Sequence, residues 1–571
     1  MTNNITINGN LQETYSDVYT PEALAALSHL AHFNKEIKEA MTARIQRRAE
    51  RQQQKKRIAF LDPESVIPRT NITVQDARNG KFEGAEIPPD LQRQWIQGTG
   101  PAAKPNAPVA SSIRNVAYAL LSGADGWMFD AEDALGQVQT MSLDNQRNLK
   151  LAISKDPVFL QAAEVVAAEM NNWSINFFGN TIITDWKEQL NFTTKLFRAR
   201  GLHLDDRHLV DGDGVAMAAS IVDLTLYVVN NYQELQKAGS SIVLYLPKIQ
   251  TAAEAALWND MLTALEQHLE LGVGTIKVYV LVEQLEATHQ LMEIRAALGK
   301  HFVGYNTGRW DYINSVADAM SWDKTFINPD IEAITMTYGY MRIYEDRVRR
   351  AVNTPDIKGN FALWQGGMEP NIPVGSAEGV AASMKKAVAG AEREQREGAS
   401  GKWVAHWKMV NIVRPVWEKV GQPNQLGREF ARLTYSQQDA DGLILIEPAP
   451  TTIRGARNLL SVAIQYGNAF GQGMQAAALK AADFFGDDDI LYLMEDMATG
   501  EIRLSILWEW VHKGAIITVD SSETKTKAGD IFSMDLFERL LEEEYNKLLQ
   551  ASKFEPELCL LFNFKIRFMC F

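Results

Sequence analysis

Between about residue 113 and about residue 410, short apolar or β-branched runs alternate with longer stretches of helix-forming composition. This alternation is typical of a parallel α/β fold, in which a helix follows each strand. Eight runs are predicted strands: 126–130, 194–198, 241–246, 276–282, 302–306, 333–337, 361–364 and 402–405. Eight such units predict a (β/α)8 TIM barrel, whose active site would lie at the carboxyl ends of the strands.

The segments on either side of the predicted barrel are mostly helical in pattern. Residues 1–112 are interpreted as an N-terminal helical clasp followed by an extended arm, because residues 61–110 are rich in proline and glycine. Residues 113–415 form the predicted barrel domain, and residues 416–553 form a C-terminal helical domain with long helices over 459–476 and 490–511. Residues 554–571 form an apolar, aromatic tail whose role is left open.

Composition excludes several classes of partner and chemistry. A net charge of −14 argues against nucleic acid and anionic membranes, because phosphate binding needs concentrated Lys and Arg. The basic run over residues 44–57 is interpreted as a solvated helix face. The two cysteines, Cys559 and Cys570, leave the body of the chain without a disulfide framework or a thiol nucleophile. We find no signal peptide and no apolar membrane span, so we expect a cytoplasmic protein whose oligomeric state is open.

Carboxylates follow several predicted strands. Asp130 and Glu132 end the first predicted strand, Glu283 follows the fourth, and Asp311 comes soon after the fifth. Hard oxygen ligands on separate loops favour Mg²⁺, whereas the few histidines lack the spacing of a zinc site. A single acid after a strand is more often a helix N-cap, so the residue types alone leave both interpretations open.

Two arginines end the second predicted strand, in the sequence Arg198-Ala199-Arg200. A guanidinium group there could stabilise an oxyanion, because it stays charged and presents fixed donors. A salt bridge to Asp205 or Asp206 is an equal alternative.

Residues 304–313 read GYNTGRWDYI and resemble the signature segment G-L-N-x-G-R-W-D-Y-I of the malate synthase family. Other segments agree in the same order, including RARGLH at 198–203, YLPK at 245–248, GGM at 366–368, WVAH at 403–406 and MED at 494–496. The resemblance covers about residues 15 to 550 and independently implies the barrel with its two helical flanks.

The resemblance implies condensation of acetyl-CoA with glyoxylate, followed by hydrolysis of the malyl thioester to malate and CoA, as in the glyoxylate cycle. It implies that Asp496 is the base, that Arg200 holds the enolate oxygen with Arg198 as the fallback, and that Glu283 and Asp311 bind Mg²⁺. Asp130 and Glu132 would orient metal-bound water, with Arg198 beside them. The backbone N–H groups of Gly308, Arg309 and Trp310 would bind the carboxylate of glyoxylate.

Some segments depart from the family pattern close to the implied substrate site. The family's G-G-M-A-A-Q-I-P is GGMEPNIP at 366–373, and W-V-A-H-P-G is WVAHWK at 403–408. A related enzyme that condenses another acyl-CoA or 2-oxo acid, or a malyl-CoA-type lyase, is therefore an alternative. An inactive scaffold is a further alternative, against which the retained Arg200, Glu283, Asp311 and Asp496 argue.

Overall fold

The computed structural model describes residues 5–100, 109–135, 140–374, 376–474, 476–478, 493–550 and 554–556. Eight parallel strands close into a barrel, which confirms the predicted fold class. The strands are β1 (Ile96–Gly100), β2 (Gly126–Asp130), β3 (Thr194–Arg198), β4 (Ile242–Leu246), β5 (Ile276–Val282), β6 (Phe302–Thr307), β7 (Leu363–Glu369) and β8 (Gly401–Val404). Strands adjacent in the chain are adjacent in the barrel, and β8 pairs with β1 to close it. All eight carboxyl ends therefore meet at one rim.

The first barrel strand, β1, lies inside the segment predicted to be an extended arm. It contains two glycines and lacks an apolar run, so its sequence resembles a linker. Gly98 is required by packing, because a Cβ at this position would lie 2.0 Å from the ring of Trp127 on β2. The arm interpretation is wrong here, and the barrel begins at Ile96 rather than at residue 113.

The predicted strand over residues 333–337 is wrong. This segment continues from a 3₁₀ turn, Ile331–Ala333, and crosses the rim as irregular chain. Ile334 is buried, and its carbonyl accepts a hydrogen bond from Arg309 Nη2 at 2.7 Å. β-Branched residues imitate a strand pattern here, but contacts with the rim determine the backbone.

Helices surround the barrel and flank it on both sides. The longer N-terminal helices are Pro21–Leu30 and Phe33–Gln54. Those around the barrel are Val109–Leu121, Met141–Ile153, Pro157–Phe178, Trp186–Phe192, Ala219–Lys237, Ala252–His268, Leu285–His289, Leu291–Leu298, Arg309–Ala319, Gly339–Val352, Ala377–Glu397 and Val410–Glu418. The C-terminal helices are Gln437–Gly442, Ile453–Gly471, Met497–Lys513 and Met534–Leu548. Within the described segments, none of the helices has the length and apolarity needed to cross a membrane.

The basic N-terminal helix is attached to the barrel, so its interpretation as a solvated face is wrong for Arg44, Arg47 and Arg51, whereas Arg48 is exposed. Arg44 and Arg47 both face Glu254, with N–O distances of 3.8 and 3.5 Å. Arg51 forms an ion pair with the buried Glu286. The positive charge of this helix is therefore directed at acids of the barrel.

The C-terminal domain covers the rim of the barrel. Helix Met497–Lys513 packs against helix Ile453–Gly471 of its own domain and against helix Arg309–Ala319 of the barrel. Ser505 Oγ donates a hydrogen bond to Asn314 Oδ1 at 2.6 Å across that second contact. The start of helix Met497–Lys513 is thereby held over the carboxyl ends of the strands.

The chain before helix Met497–Lys513 is extended, whereas the sequence pattern predicts a helix over residues 490–511. Met494–Asp496 pairs antiparallel with Ala476–Ala478. Residues 479–492 lie outside the described residues.

The predicted apolar tail enters the description only at residues 554–556, and residues 557–571 lie outside it. Phe554 is buried, and its ring contacts Tyr545 at a centroid distance of 5.7 Å. The start of the tail therefore packs on the C-terminal domain.

Candidate active site

Three carboxylates meet at the carboxyl rim, and we call Asp133, Glu283 and Asp311 the acid cluster. Asp133 follows β2, Glu283 directly follows β5, and Asp311 lies in the first turn of helix Arg309–Ala319, after β6. One oxygen from each residue lies within 4.8 Å of the other two. Three hard oxygen donors from separate loops suit Mg²⁺, which leaves its remaining positions to water or substrate.

The cation inside the acid cluster is the ammonium group of Lys248, just after β4. Its Nζ lies 2.7 Å from Asp311 Oδ1 and 3.2 Å from both Asp133 Oδ2 and Glu283 Oε2. Its backbone N–H donates to Glu283 Oε1 at 2.7 Å. Lys248 has a φ of 53°, a left-handed conformation that is uncommon for a residue with a side chain. Both the backbone N–H and the side-chain ammonium of Lys248 therefore hold Glu283.

The charges of the cluster depend on one another. Burial disfavours the ammonium, but Asp133, Asp311 and Glu283 outweigh this effect and hold the pKa of Lys248 well above its usual range. Burial raises the pKa of Glu283 to about 8; Lys248 opposes the rise and Asp311 adds to it. The ammonium of Lys248 offsets only part of this rise, so a divalent metal bound by the three carboxylates would favour the ionised form of Glu283 further, and the donor set fits such an ion.

Arg198, at the end of β3, faces the cluster from the side. Its Nε and Nη2 donate to the two oxygens of Asp130 at 2.6 and 2.5 Å, and its Nη1 lies 3.2 Å from Asp133 Oδ2. Asp130 also accepts hydrogen bonds from the backbone N–H groups of Glu132 and Ala134, at 2.9 and 2.7 Å. Asp130 therefore fixes the loop that carries Asp133.

Glu132 is buried beside the cluster, and neither of its carboxyl oxygens has a hydrogen-bond partner among the described residues. Burial and, after it, the charge of Asp133 raise the pKa of Glu132 well above its usual range. Asp130 and Glu132 were predicted as site residues from the sequence, whereas Asp133 was not. The available signal was that all three acids stand within four residues of a strand end.

Arg200 lies apart from the cluster. Its Nε and Nη2 donate to Asp223 at 3.0 and 2.8 Å, and Nη2 also donates to Asp206 at 2.7 Å. The salt bridge weighed as an alternative is therefore present, with Asp206 as one of its two acids. Of the two arginines, Arg198 is the one that lines the central cavity within the described part of the chain.

The segment after β6 carries the predicted carboxylate-binding amides. Gly308 is the N-cap residue of helix Arg309–Ala319, but its N–H donates to the carbonyl of Val282 at 3.3 Å. A side chain at Gly308 would bring a Cβ to 3.1 Å from that of Glu283, so the close approach favours glycine. Arg309 and Trp310 supply the N–H groups of the first helical turn, a position where anions bind readily.

Asp496 occupies the N-cap position of helix Met497–Lys513. Its carboxylate accepts a hydrogen bond from the N–H of Ala498 at 3.0 Å, and its side chain is half-buried. Two residues earlier, the N–H of Met494 donates to the carbonyl of Pro370 at 2.8 Å, just beyond β7. A residue from the C-terminal domain is thereby fixed at the rim of the barrel.

One cavity of about 740 Å³ connects these groups. Asp496 lies in its wall, as do Arg198, Glu283, Asp311 and the segment Gly308–Trp310, so the structure brings most of the predicted site residues together. The exceptions are Glu132 and Arg200, which do not line it within the described segments. A cavity with a cation site, an arginine and a carboxylate from the opposite domain can bind an anionic substrate and remove a proton from a second one.

Comparisons with known proteins agree with this architecture. Residues 194–443 match the family described as "Malate synthase, TIM barrel domain", and residues 451–563 match "Malate synthase, C-terminal". The chain is 30% identical to malate synthase A of Escherichia coli (strain K12) over 535 residues, which cover 93% of this chain and 88% of that protein. It is 29% identical to malate synthase of Myxococcus xanthus over 546 residues, covering 95% and 88%, respectively.

Proposed function

This chain belongs to the malate synthase family, and we propose that it condenses acetyl-CoA with glyoxylate and hydrolyses the resulting malyl-CoA to malate and CoA. The observation that carries the proposal is the shared cavity. It holds members of a cation-binding acid cluster at one wall and a carboxylate from the C-terminal domain at another. A condensation between two substrates needs both groups, because one substrate must be held and polarised while the other loses a proton.

Asp496 is the proposed base. It would take a proton from the methyl group of acetyl-CoA, and the developing negative charge would move to the thioester oxygen. The hydrogen bond from the N–H of Ala498 fixes the orientation of the carboxylate. General-base catalysis contributes about 10²–10⁴-fold to the rate of such a step.

Arg198 is the proposed partner of that thioester oxygen, in place of Arg200. Its guanidinium lines the cavity and is held rigidly by Asp130, whereas Arg200 is committed to Asp223 and Asp206. Such a fixed charge can stabilise the enolate without reorganising during the reaction.

Glu283 and Asp311, with Asp133, would hold Mg²⁺. When bound, the ion supplies Lewis-acid polarisation of the glyoxylate carbonyl. Asp130 holds the loop of Asp133, and Glu132 would orient water from behind the cluster. The N–H groups of Arg309 and Trp310 would receive the carboxylate of glyoxylate at the helix N-terminus.

The test is release of free CoA by the purified full-length chain. We expect release from acetyl-CoA only when glyoxylate and Mg²⁺ are both present. Faster turnover with another 2-oxo acid would replace glyoxylate as the substrate and keep the reaction class. Conversion of malyl-CoA to acetyl-CoA and glyoxylate, without hydrolysis, would identify a lyase instead.

A further inference from the structure

A buried carboxylate at the end of β7 lies outside the roles assigned above. Glu369 is the last residue of this strand, is 6% exposed and lines the central cavity. It stands where the family segment quoted in the sequence analysis has alanine. A carboxyl group is costly to bury unless its oxygens are hydrogen-bonded, so the contacts of Glu369 indicate what it holds in place.

Glu369 holds the residue two positions further along. Its Oε1 accepts a hydrogen bond from the backbone N–H of Asn371 at 3.1 Å and another from Asn371 Nδ2. Both donors belong to one residue, so the carboxylate closes a tight turn after the strand. The strand end is itself fixed, because the carbonyl of Glu369 accepts from the N–H of Ala405 at 3.0 Å.

The turn is paired with the segment that leads to Asp496. Asn371 forms an antiparallel bridge with Leu493, and the N–H of Met494 donates to the carbonyl of Pro370 at 2.8 Å. Only one residue, Glu495, separates Met494 from Asp496. The Glu369 carboxylate is therefore linked to the proposed base through its hydrogen bonds to Asn371 and then through backbone pairing with residues 493–494.

We infer that Glu369 is a positioning residue that sets the place of Asp496 over the barrel, by holding the turn at Pro370 and Asn371 to which residues 493–494 are paired. The inference rests on the proposed function for the role of Asp496. The base comes from a different domain than the acid cluster, so its distance from the substrate depends on this contact. A misplacement of about 1 Å can cost about 10²-fold in rate.

The experiment compares Glu369→Ala with Glu369→Gln in the full-length chain. Alanine removes both hydrogen bonds to Asn371, whereas glutamine keeps an acceptor oxygen in the same place. We expect Glu369→Ala to lower kcat about tenfold or more. The KM for glyoxylate and the affinity for Mg²⁺ should stay unchanged, and Glu369→Gln should recover most of the loss. Glu378→Ala is the matched control, since Glu378 is an exposed acid that follows the same turn and is not among the described residues that line the cavity.

Amide hydrogen exchange tests the contact without relying on activity. In Glu369→Ala the N–H of Met494 should exchange about tenfold faster, whereas Glu378→Ala should leave it unchanged. Unchanged exchange in Glu369→Ala would overturn the inference. So would faster exchange with unchanged kcat, or a loss of Mg²⁺ and glyoxylate binding in proportion to kcat. If Glu369→Ala fails to fold, Asn371→Ala removes one of the two donors and is measured in the same way. Absence of CoA release by the unaltered chain would refute the proposed function and leave the exchange result to decide the contact alone.

Discussion

The acid cluster and the start of helix Met497–Lys513 face the same cavity but are built differently. The acid cluster comes from loops of one closed barrel, and Lys248 and Arg198 compensate its charge with several direct contacts. Asp496 comes from another domain and is placed by a helix cap and a short backbone pairing. Substrate binding and proton removal should therefore be separable by substitution, because they depend on different contacts.

Asp496→Asn should separate them most clearly. Asparagine remains a good N-cap, so the helix should keep its start, but the amide cannot accept the methyl proton. We expect kcat to fall about 10³-fold, while isothermal titration shows unchanged binding of Mg²⁺ and glyoxylate. Turnover equal to that of the unaltered chain would remove Asp496 as the base.

Arg198→Lys should mainly lower kcat, whereas Arg200→Lys should mainly lower stability. In Arg198→Lys, a single ammonium replaces a guanidinium that contacts Asp130 through two nitrogens, and we expect kcat to fall about 10²-fold. At Arg200, the loss should appear as a lower Tm with kcat within about threefold, because its partners Asp206 and Asp223 are buried away from the cavity. Equal losses of kcat in both variants would contradict this division of roles.

Asp311→Asn tests the binding of Mg²⁺ by the acid cluster. Removal of one charged ligand should weaken Mg²⁺ affinity about tenfold or more, measured by titration of the metal-free protein. Asp318→Asn is the control, since Asp318 lies on the same helix and pairs with Arg48 at its outer side. A Mg²⁺ titration that does not distinguish the two variants would exclude Asp311 as a ligand.

Arg44→Met should give the smallest effect and shows how far the cluster's support extends. Arg44 Nη1 donates to the carbonyl of Lys248 at 2.9 Å, and so steadies the left-handed residue that holds Glu283. We expect a loss of about 1.5 kcal/mol in the free energy of unfolding, measured with denaturant, and weaker Mg²⁺ binding. Arg48→Met removes an exposed ion pair and should cost less than about 1 kcal/mol. Equal stability of the two variants would argue against this support.

The proposed metal ligands could be predicted from the sequence better than the strand and the arginines around them. Glu283 and Asp311 follow strands with clear apolar patterns, so the edge of the sheet that carries them could be located. Strand β1 could not be located from the sequence. Its Gly98 is required because the ring of Trp127 leaves no room for a side chain, and this contact joins separate segments of the chain. The choice between Arg198 and Arg200 likewise depends on where Asp223 lies, and that residue is on helix Ala219–Lys237, 23 residues further along the chain than Arg200. The positive φ of Lys248 leaves no mark in the sequence at all.

The arginines of helix Phe33–Gln54 also bear on how the chain is made. Their partners stand far along the sequence: the carbonyl of Lys248 for Arg44, Glu286 for Arg51 and Asp318 for Arg48. During synthesis Arg44 is added to the chain 204 residues before Lys248, the first of these partners. Domains emerge from the N-terminus at about 5–20 residues per second, so the helix must wait roughly ten seconds or more with its cationic side in solvent. Its strongly polar sequence is suited to that interval, because it exposes little apolar surface before it can dock.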